Sequence, residues 1–149
     1  AAAKAAIYGF TRTLAIEGSR YGIHVNAIAP GALTRMTGDV LGDDGDIANA
    51  TGLTGEDLIM QLGPQQVAPA VAYLAHESCL LNGETLSASG GRVGRAFMGV
   101  TKGIYEEDLS LESVAKRIDE ICNENDYVVP DNVDQEMQLL LEHLHTGDT

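Results

Sequence analysis

Positive charge is what this sequence has least of: nine lysines and arginines stand against 22 aspartates and glutamates, a net charge of −13. Such a balance repels nucleic acid and anionic membrane surfaces and leaves small-molecule work as the natural reading. Cysteine is nearly absent as well. Cys79 and Cys122 are the only two; they lie far apart in apolar or helical settings, which fits a reducing compartment such as the cytoplasm and argues against a disulfide framework. No cluster with metal-ligand spacing occurs, so no metal is expected. No apolar run approaches the length of a membrane span and no secretory leader opens the chain. With Ala1 where a methionine would stand, the sequence reads as starting inside a longer protein. What is present suffices for one domain, or part of one: 44% of the 149 residues are hydrophobic, enough for a modest core.

The opening "AAAKAAIYGFTRTLA" carries Ile7, Phe10, Leu14 and Ala15 at helical spacing among strong helix formers. Gly18 and Gly22 in "GSRYG" predict its end, and "IHVNAIA" follows as a β-branched run stopped by Pro30 and Gly31. A helix leading through a tight loop into a buried strand predicts an α/β layer with a parallel sheet, whose ligands gather beyond the carboxyl ends of the strands. Further on, "GPQQVAPAVAYLAH" resumes helical order with Val67, Ala70, Val71 and Leu74 on one face and Pro69 in the first turn. Asn82-Gly83 then turns into a second strand, "ETLSAS", ended by Gly90 and Gly91.

Between these elements, "TGDVLGDDGDIANATGLTGEDL" has no sustained apolar period and reads as a long loop, with Gly38 to Asp57 as a candidate lid. Its aspartates lack the alternating oxygen ligands and final glutamate of a calcium loop, and Asn49-Ala-Thr51 is a glycosylation signal only in a secreted protein. "SGGRVG" departs from the G-x-G-x-x-G spacing of a dinucleotide loop, and no helical pattern opens directly after it. Beyond residue 92 the character changes. Two amphipathic helices are predicted, with Leu111, Val114, Ile118 and Ile121 on the first and Val133, Met137, Leu140 and Leu144 on the second, capped by Asp131 or Asn132. His143 and His145 fall near the second helix's end, where cations suit the dipole. His24 and His76 have no recognisable serine or cysteine partner for nucleophilic hydrolysis. The expected organisation is an α/β part over 1–91 and a helical extension over 92–149.

Lys4 is the one charge among the first six residues, and a lysine on a helix is ordinarily a solvated surface residue. Its context says more: "AAAKAAIYGFTRTLAIEGSRYGIHVNAIAPG" resembles the second half of a short-chain dehydrogenase/reductase domain. That family carries Tyr-x-x-x-Lys on a helix, then a strand of the type V-N-x-I-x-P-G, a variable substrate loop, a helix and a last strand. Every later part occurs here in order. The resemblance implies the carboxyl-terminal part of a doubly wound, Rossmann-like parallel sheet followed by a helical extension.

The resemblance further implies that Lys4 is the family's lysine and that the catalytic tyrosine falls immediately before Ala1. Residues four apart share a helix face, and a neighbouring ammonium favours the phenolate, bringing the phenol toward a useful acid/base range. In the family this lysine also bonds the cofactor's ribose hydroxyls. Pro30 and Gly31 resemble the turn that meets the nicotinamide, Leu33 stands where isoleucine is common and would act through its main chain, and Arg35 replaces a usual threonine, leaving Thr34 or Thr37 as substitutes. The cofactor is NAD or NADP; the residues that select between them lie upstream. "PGALTRMT" and the extension resemble the 3-hydroxyacyl-CoA dehydrogenase type found in peroxisomal-type multifunctional enzymes, which implies an alcohol or ketone substrate of the acyl-CoA class and a homo-oligomer. Two function classes follow: a nicotinamide-dependent oxidoreductase, of which residues 1–149 alone would be inactive, or a non-catalytic oligomerisation module built on the alanine-rich and carboxyl-terminal helices.

Overall fold

The computed structural model describes residues 2–34, 52 and 55–146, with the side chains of 55, 56, 58, 59 and 143–146 outside the description. The elements run α1 (Ala2–Ser19), β1 (Ala27–Gly31), α2 (Gly55–Leu62), a 3-10 turn (Pro64–Gln66), α3 (Ala68–Leu74), β2 (Thr85–Ser89), β3 (Arg92–Ala96), α4 (Leu111–Lys116), α5 (Ile118–Ile121) and α6 (Val133–Thr146). They form two compact units, residues 1–96 and 97–149. The division falls between Ala96 and Phe97, because the strand that starts at Arg92 belongs to the sheet.

In the first unit β1 and β2 pair in parallel, with Ala27 opposite Thr85 and Gly31 opposite Ser89. β2 then turns back through Gly90 and Gly91, both at positive φ (55° and 77°), into an antiparallel β3 with Ser89 opposite Arg92. Two consecutive left-handed positions make the tight hairpin turn that matches strand twist, which glycine supplies without a steric penalty. The sheet is therefore mixed. The parallel pair matches expectation; the antiparallel strand was hidden because "RVGRA" has neither alternation nor an apolar run.

α1 ends where Tyr21 and Ile23 both donate backbone hydrogen bonds to the Gly18 carbonyl (2.8 and 3.1 Å), with Gly22 at φ 68°, a left-handed helix stop. The strand expected over "IHVNAIA" starts later, at Ala27. Side chains replace the ladder before it: Val25 N–H donates to Asn82 Oδ1 (2.9 Å), Asn26 Nδ2 donates to the Leu81 carbonyl (2.8 Å), and Glu84 N–H donates to Asn26 Oδ1 (3.1 Å). Asn82 Nδ2 also donates to the Ala15 carbonyl (3.1 Å), so one side chain ties α1 to both strand entrances. Pro30 lies inside β1, and a proline there is tolerated where its missing N–H faces an unpaired edge.

Val67, Ala70 and Ala88 form the buried cluster, with Ile28 and Ala32 packed against it. Residues alternate between the faces of a strand, so α3 covers the Ala88 face while Thr85, Ser87 and Ser89 turn to the other. Val71, expected to be buried, stays 45% exposed; the 3-10 turn before α3 presents Val67 and Ala70 to the sheet and leaves Val71 beside them outward.

The second unit holds an antiparallel bridge between Val100 and Val128, and the Phe97 and Tyr127 rings stack 5.5 Å apart. Its first expected helix is two short ones, α4 and α5, parted at Arg117 (φ −108°, ψ 19°). Ser110 and Ser113 cap α4 reciprocally. On α6, Gln135 N–H donates to Asn132 Oδ1 (3.0 Å), so Asn132 makes the expected capping contact. Cys79 is buried, Cys122 is exposed, and neither is in a disulfide. No helix among the described residues is long and apolar enough to cross a membrane. The proposed lid falls almost wholly outside the described residues, as do Arg35, Met36 and Thr37; α2 starts within its last residues.

Candidate functional site

α1 turns the stripe Lys4, Tyr8, Thr11 and Ala15 toward the sheet. The spacing of four, three and four residues keeps one helix face; Thr11 (5% exposed) and Ala15 (3%) are buried at its far end, while Lys4 and Tyr8 line a cavity at its near end. Of the apolar set Ile7, Phe10, Leu14 and Ala15 that the helical spacing picks out, Ala15 is buried on this face and Ile7 lines the cavity, whereas Phe10 is 64% exposed. The signal that would have found Tyr8 is its place four residues after Lys4.

The cavity has a volume of about 600 Å³, within the range of small-molecule sites. Pro30 and Gly31 line it from the carboxyl end of β1, and Ser89 and Ser87 line it from β2. Gly31 is required by a close approach: a Cβ there would come within 2.8 Å of Ser89 Oγ, which no side chain tolerates without movement. Lys4, Pro30 and Gly31 are thus brought together. Leu33 and Thr34 are not among the lining residues. Leu33 donates its backbone N–H to the Leu62 carbonyl (2.6 Å), which ties the strand exit to the end of α2, so any ligand contact by its main chain would use the Leu33 carbonyl or displace Leu62. Thr34 is exposed.

In the second unit a cavity of about 470 Å³ is lined by Phe97, Thr101, Cys122, Glu124 and Tyr127 among others, none of them a predicted site residue. Arg117 dominates the charge pattern there. Its guanidinium donates to Glu120 through Nε and Nη2 (2.9 and 2.8 Å) and to Glu106 through Nη1 (2.8 Å). These hydrogen bonds hold both carboxyls below the usual glutamate range and raise the guanidinium further.

A parallel pair covered on both faces by helices, with a cavity that runs beneath α1 to the carboxyl ends of the strands, defines a doubly wound, Rossmann-like α/β protein. Residues 1–92 match the family model described as Enoyl-(Acyl carrier protein) reductase, and the chain belongs to the short-chain dehydrogenase/reductase family. It is 39% identical to a short-chain type dehydrogenase/reductase of Mycobacterium tuberculosis over 82% of this chain and 38% of that protein. It is 34% identical to peroxisomal multifunctional enzyme type 2 of Mus musculus over 99% of this chain and 19% of that protein. Among solved structures, full-length peroxisomal multifunctional enzyme type 2 of Drosophila melanogaster superposes with a TM-score of 0.73 at 26% identity, covering 97% of this chain and 25% of that one. The chain therefore spans less than two fifths of the length of these relatives.

Proposed function

We propose that the protein containing this chain is a nicotinamide-dependent oxidoreductase that interconverts a secondary alcohol and a ketone. The observation that carries this reading is that Lys4 lines one cavity with Pro30 and Gly31 at the carboxyl end of β1. The donor set fits the nicotinamide-ribose half of such a cofactor: an ammonium, serine hydroxyls and a glycine turn that admits close backbone approach, in a space of about 600 Å³. When bound, the cofactor supplies the hydride acceptor or donor. Lys4 holds ribose hydroxyls and favours the phenolate of the tyrosine that the family places just before Ala1, so that the phenolate takes the proton from an alcohol and, in the reverse direction, the phenol gives it to the ketone oxygen. Pro30 and Gly31 orient the nicotinamide through their backbone, with the Leu33 main chain and Thr34 as further contacts.

The substrate class is 3-hydroxyacyl-CoA or 3-oxoacyl-CoA, supported by the likeness to multifunctional enzymes across nearly the whole chain. NAD and NADP both fit the residues in hand. A helical extension, a homo-oligomer and a reducing compartment, cytoplasmic by the sequence reading, complete the proposal; the multifunctional relatives are themselves named peroxisomal. Residues 1–149 alone, without the tyrosine that Lys4 serves, are expected to give no turnover.

The test is to mix the whole protein with each nicotinamide cofactor and a panel of acyl-CoA, steroid and short-chain alcohols, and to follow absorbance of the reduced ring. Turnover with one cofactor and a 3-hydroxyacyl-CoA is expected. Absence of turnover with every pair would favour the second reading, a non-catalytic assembly module, for which the exposed Phe10 and Ile16 of α1 and Val133 and Met137 of α6 would be the surfaces.

A further inference from the structure

The cavity beneath α1 contains a polar group to which the proposed reaction gives no work. Thr85, the first residue of β2, is 8% exposed, and its Oγ1 finds no hydrogen-bond partner among the described residues. Native interiors rarely leave such a group unpaired. Thr85 lines the same cavity as Lys4 and Tyr8, and the two-residue period of the strand places Ser87 and Ser89 on the same face, both also lining it. Burial falls along this row from Thr85 (buried) through Ser87 (half-buried) to Ser89 (exposed), so the hydroxyls lead from the deep end of the cavity to its mouth. Above them, residues 2–10 of α1 include no buried side chain, whereas Thr11 and Ala15 beyond them are packed tight. The turns of α1 that carry Lys4 and Tyr8 thus stand over the cavity and not against the sheet.

We infer that ordered water anchored on Thr85 Oγ1 occupies the deep end of this cavity, inward of the Ser87 and Ser89 hydroxyls that face the cofactor's place, and seats the helix turns that carry Lys4 and Tyr8. Water suits this wall because each hydroxyl both donates and accepts, and a buried water needs two to four polar partners. An apolar filler would leave the Thr85 hydroxyl unpaired. Thr85 is then a positioning residue, acting on the site through water. The water itself stands on the geometry; its effect on Lys4 rests on the oxidoreductase reading above.

The test uses the whole protein with Thr85→Val, which keeps the shape and removes the hydroxyl, and Thr85→Ser, which keeps the hydroxyl. If water holds Oγ1, Thr85→Val lowers the melting temperature and Thr85→Ser restores most of it. If the hydroxyl is unpaired, Thr85→Val raises the melting temperature, which overturns the inference. A crystal structure of the whole protein is expected to show water at hydrogen-bond distance from Oγ1; a side chain from another part of the protein in that place would equally overturn it. In steady-state kinetics Thr85→Val should lower kcat roughly 3- to 10-fold with KM little changed, as small misplacement of a catalytic group does, and Thr85→Ser should recover it. Normal kcat in Thr85→Val beside an inactive Lys4→Met sinks the positioning role and leaves the oxidoreductase reading standing. A fully active Lys4→Met sinks that reading, while the melting temperatures still decide the water.

Discussion

The two units of this chain solve different problems with different chemistry. Residues 1–96 carry nine acidic and six basic side chains, residues 97–149 thirteen and three, so most of the negative charge sits where the proposed chemistry does not. The first unit is held by a backbone ladder, asparagine side chains at the strand entrances and close glycine contacts, all of which fix positions to a fraction of an ångström. The second is held by a bridge of two valines, a stacked aromatic pair and one arginine between two glutamates. A site needs the first kind of order, because a catalytic ammonium displaced by an ångström is of little use.

If that contrast is right, damage to the first unit removes activity and damage to the second mainly loosens a surface. The largest effect is expected from Lys4→Met in the whole protein: a loss of turnover of at least about 100-fold with an unchanged circular dichroism spectrum. Next comes Asn82→Ala, which leaves the half-buried Val25 N–H without its acceptor and removes the tie from this turn to the Ala15 carbonyl of α1. It should cost about 2–3 kcal/mol, measured by denaturant unfolding. Gly31→Ala and Gly99→Ala form a matched pair. Each adds one methyl against a contact at 2.8 Å (Ser89 Oγ) or 2.9 Å (Tyr127 Cδ2), and each should cost about 1–3 kcal/mol. Only the first should weaken cofactor binding; equal weakening by Gly99→Ala would erase the distinction between the units.

The smallest effect concerns pH. Glu106 and Glu120 have carboxyls lowered by Arg117, so each contributes stability that is present above the usual glutamate value and is lost as pH falls through its folded value. Hydrogen exchange of amides in residues 97–149 should therefore quicken on acidification, and Arg117→Gln should flatten that dependence. The magnitude is small because the groups are exposed and screened. A steep acid response that survives Arg117→Gln would place the sensitive group elsewhere.

What could be read from the sequence differed between the units for physical reasons. Pro30-Gly31 and the strand "ETLSAS" were legible because turn residues bracket β-prone runs. Lys4 was legible through family resemblance, whereas the face it occupies was legible only in part: Ile7 and Ala15 of the apolar set lie on it, but Phe10 is turned to solvent and the polar Tyr8 and Thr11 do not register as members of an apolar stripe. The start of β1 was misread because Asn26 and Asn82 satisfy the backbone there with side chains, a long-range arrangement that no local pattern announces. In the second unit the apolar period ran unbroken through Arg117, but its guanidinium reaches Glu106 and Glu120 and the helix parts at that residue. Pairing of this kind is tertiary, and hydrophobic spacing does not encode it.

The central claim is that Lys4 tunes a proton-transferring phenol in the cavity it shares with Pro30 and Gly31, and the pH profile of kcat for alcohol oxidation by the whole protein tests it most directly. Removing the ammonium in Lys4→Met should move the ascending limb at least about one unit to higher pH, because the phenolate loses its neighbouring charge, while Arg117→Gln should leave the limb in place. A Lys4→Met enzyme whose limb stays at the wild-type pH, with turnover preserved, would contradict the account.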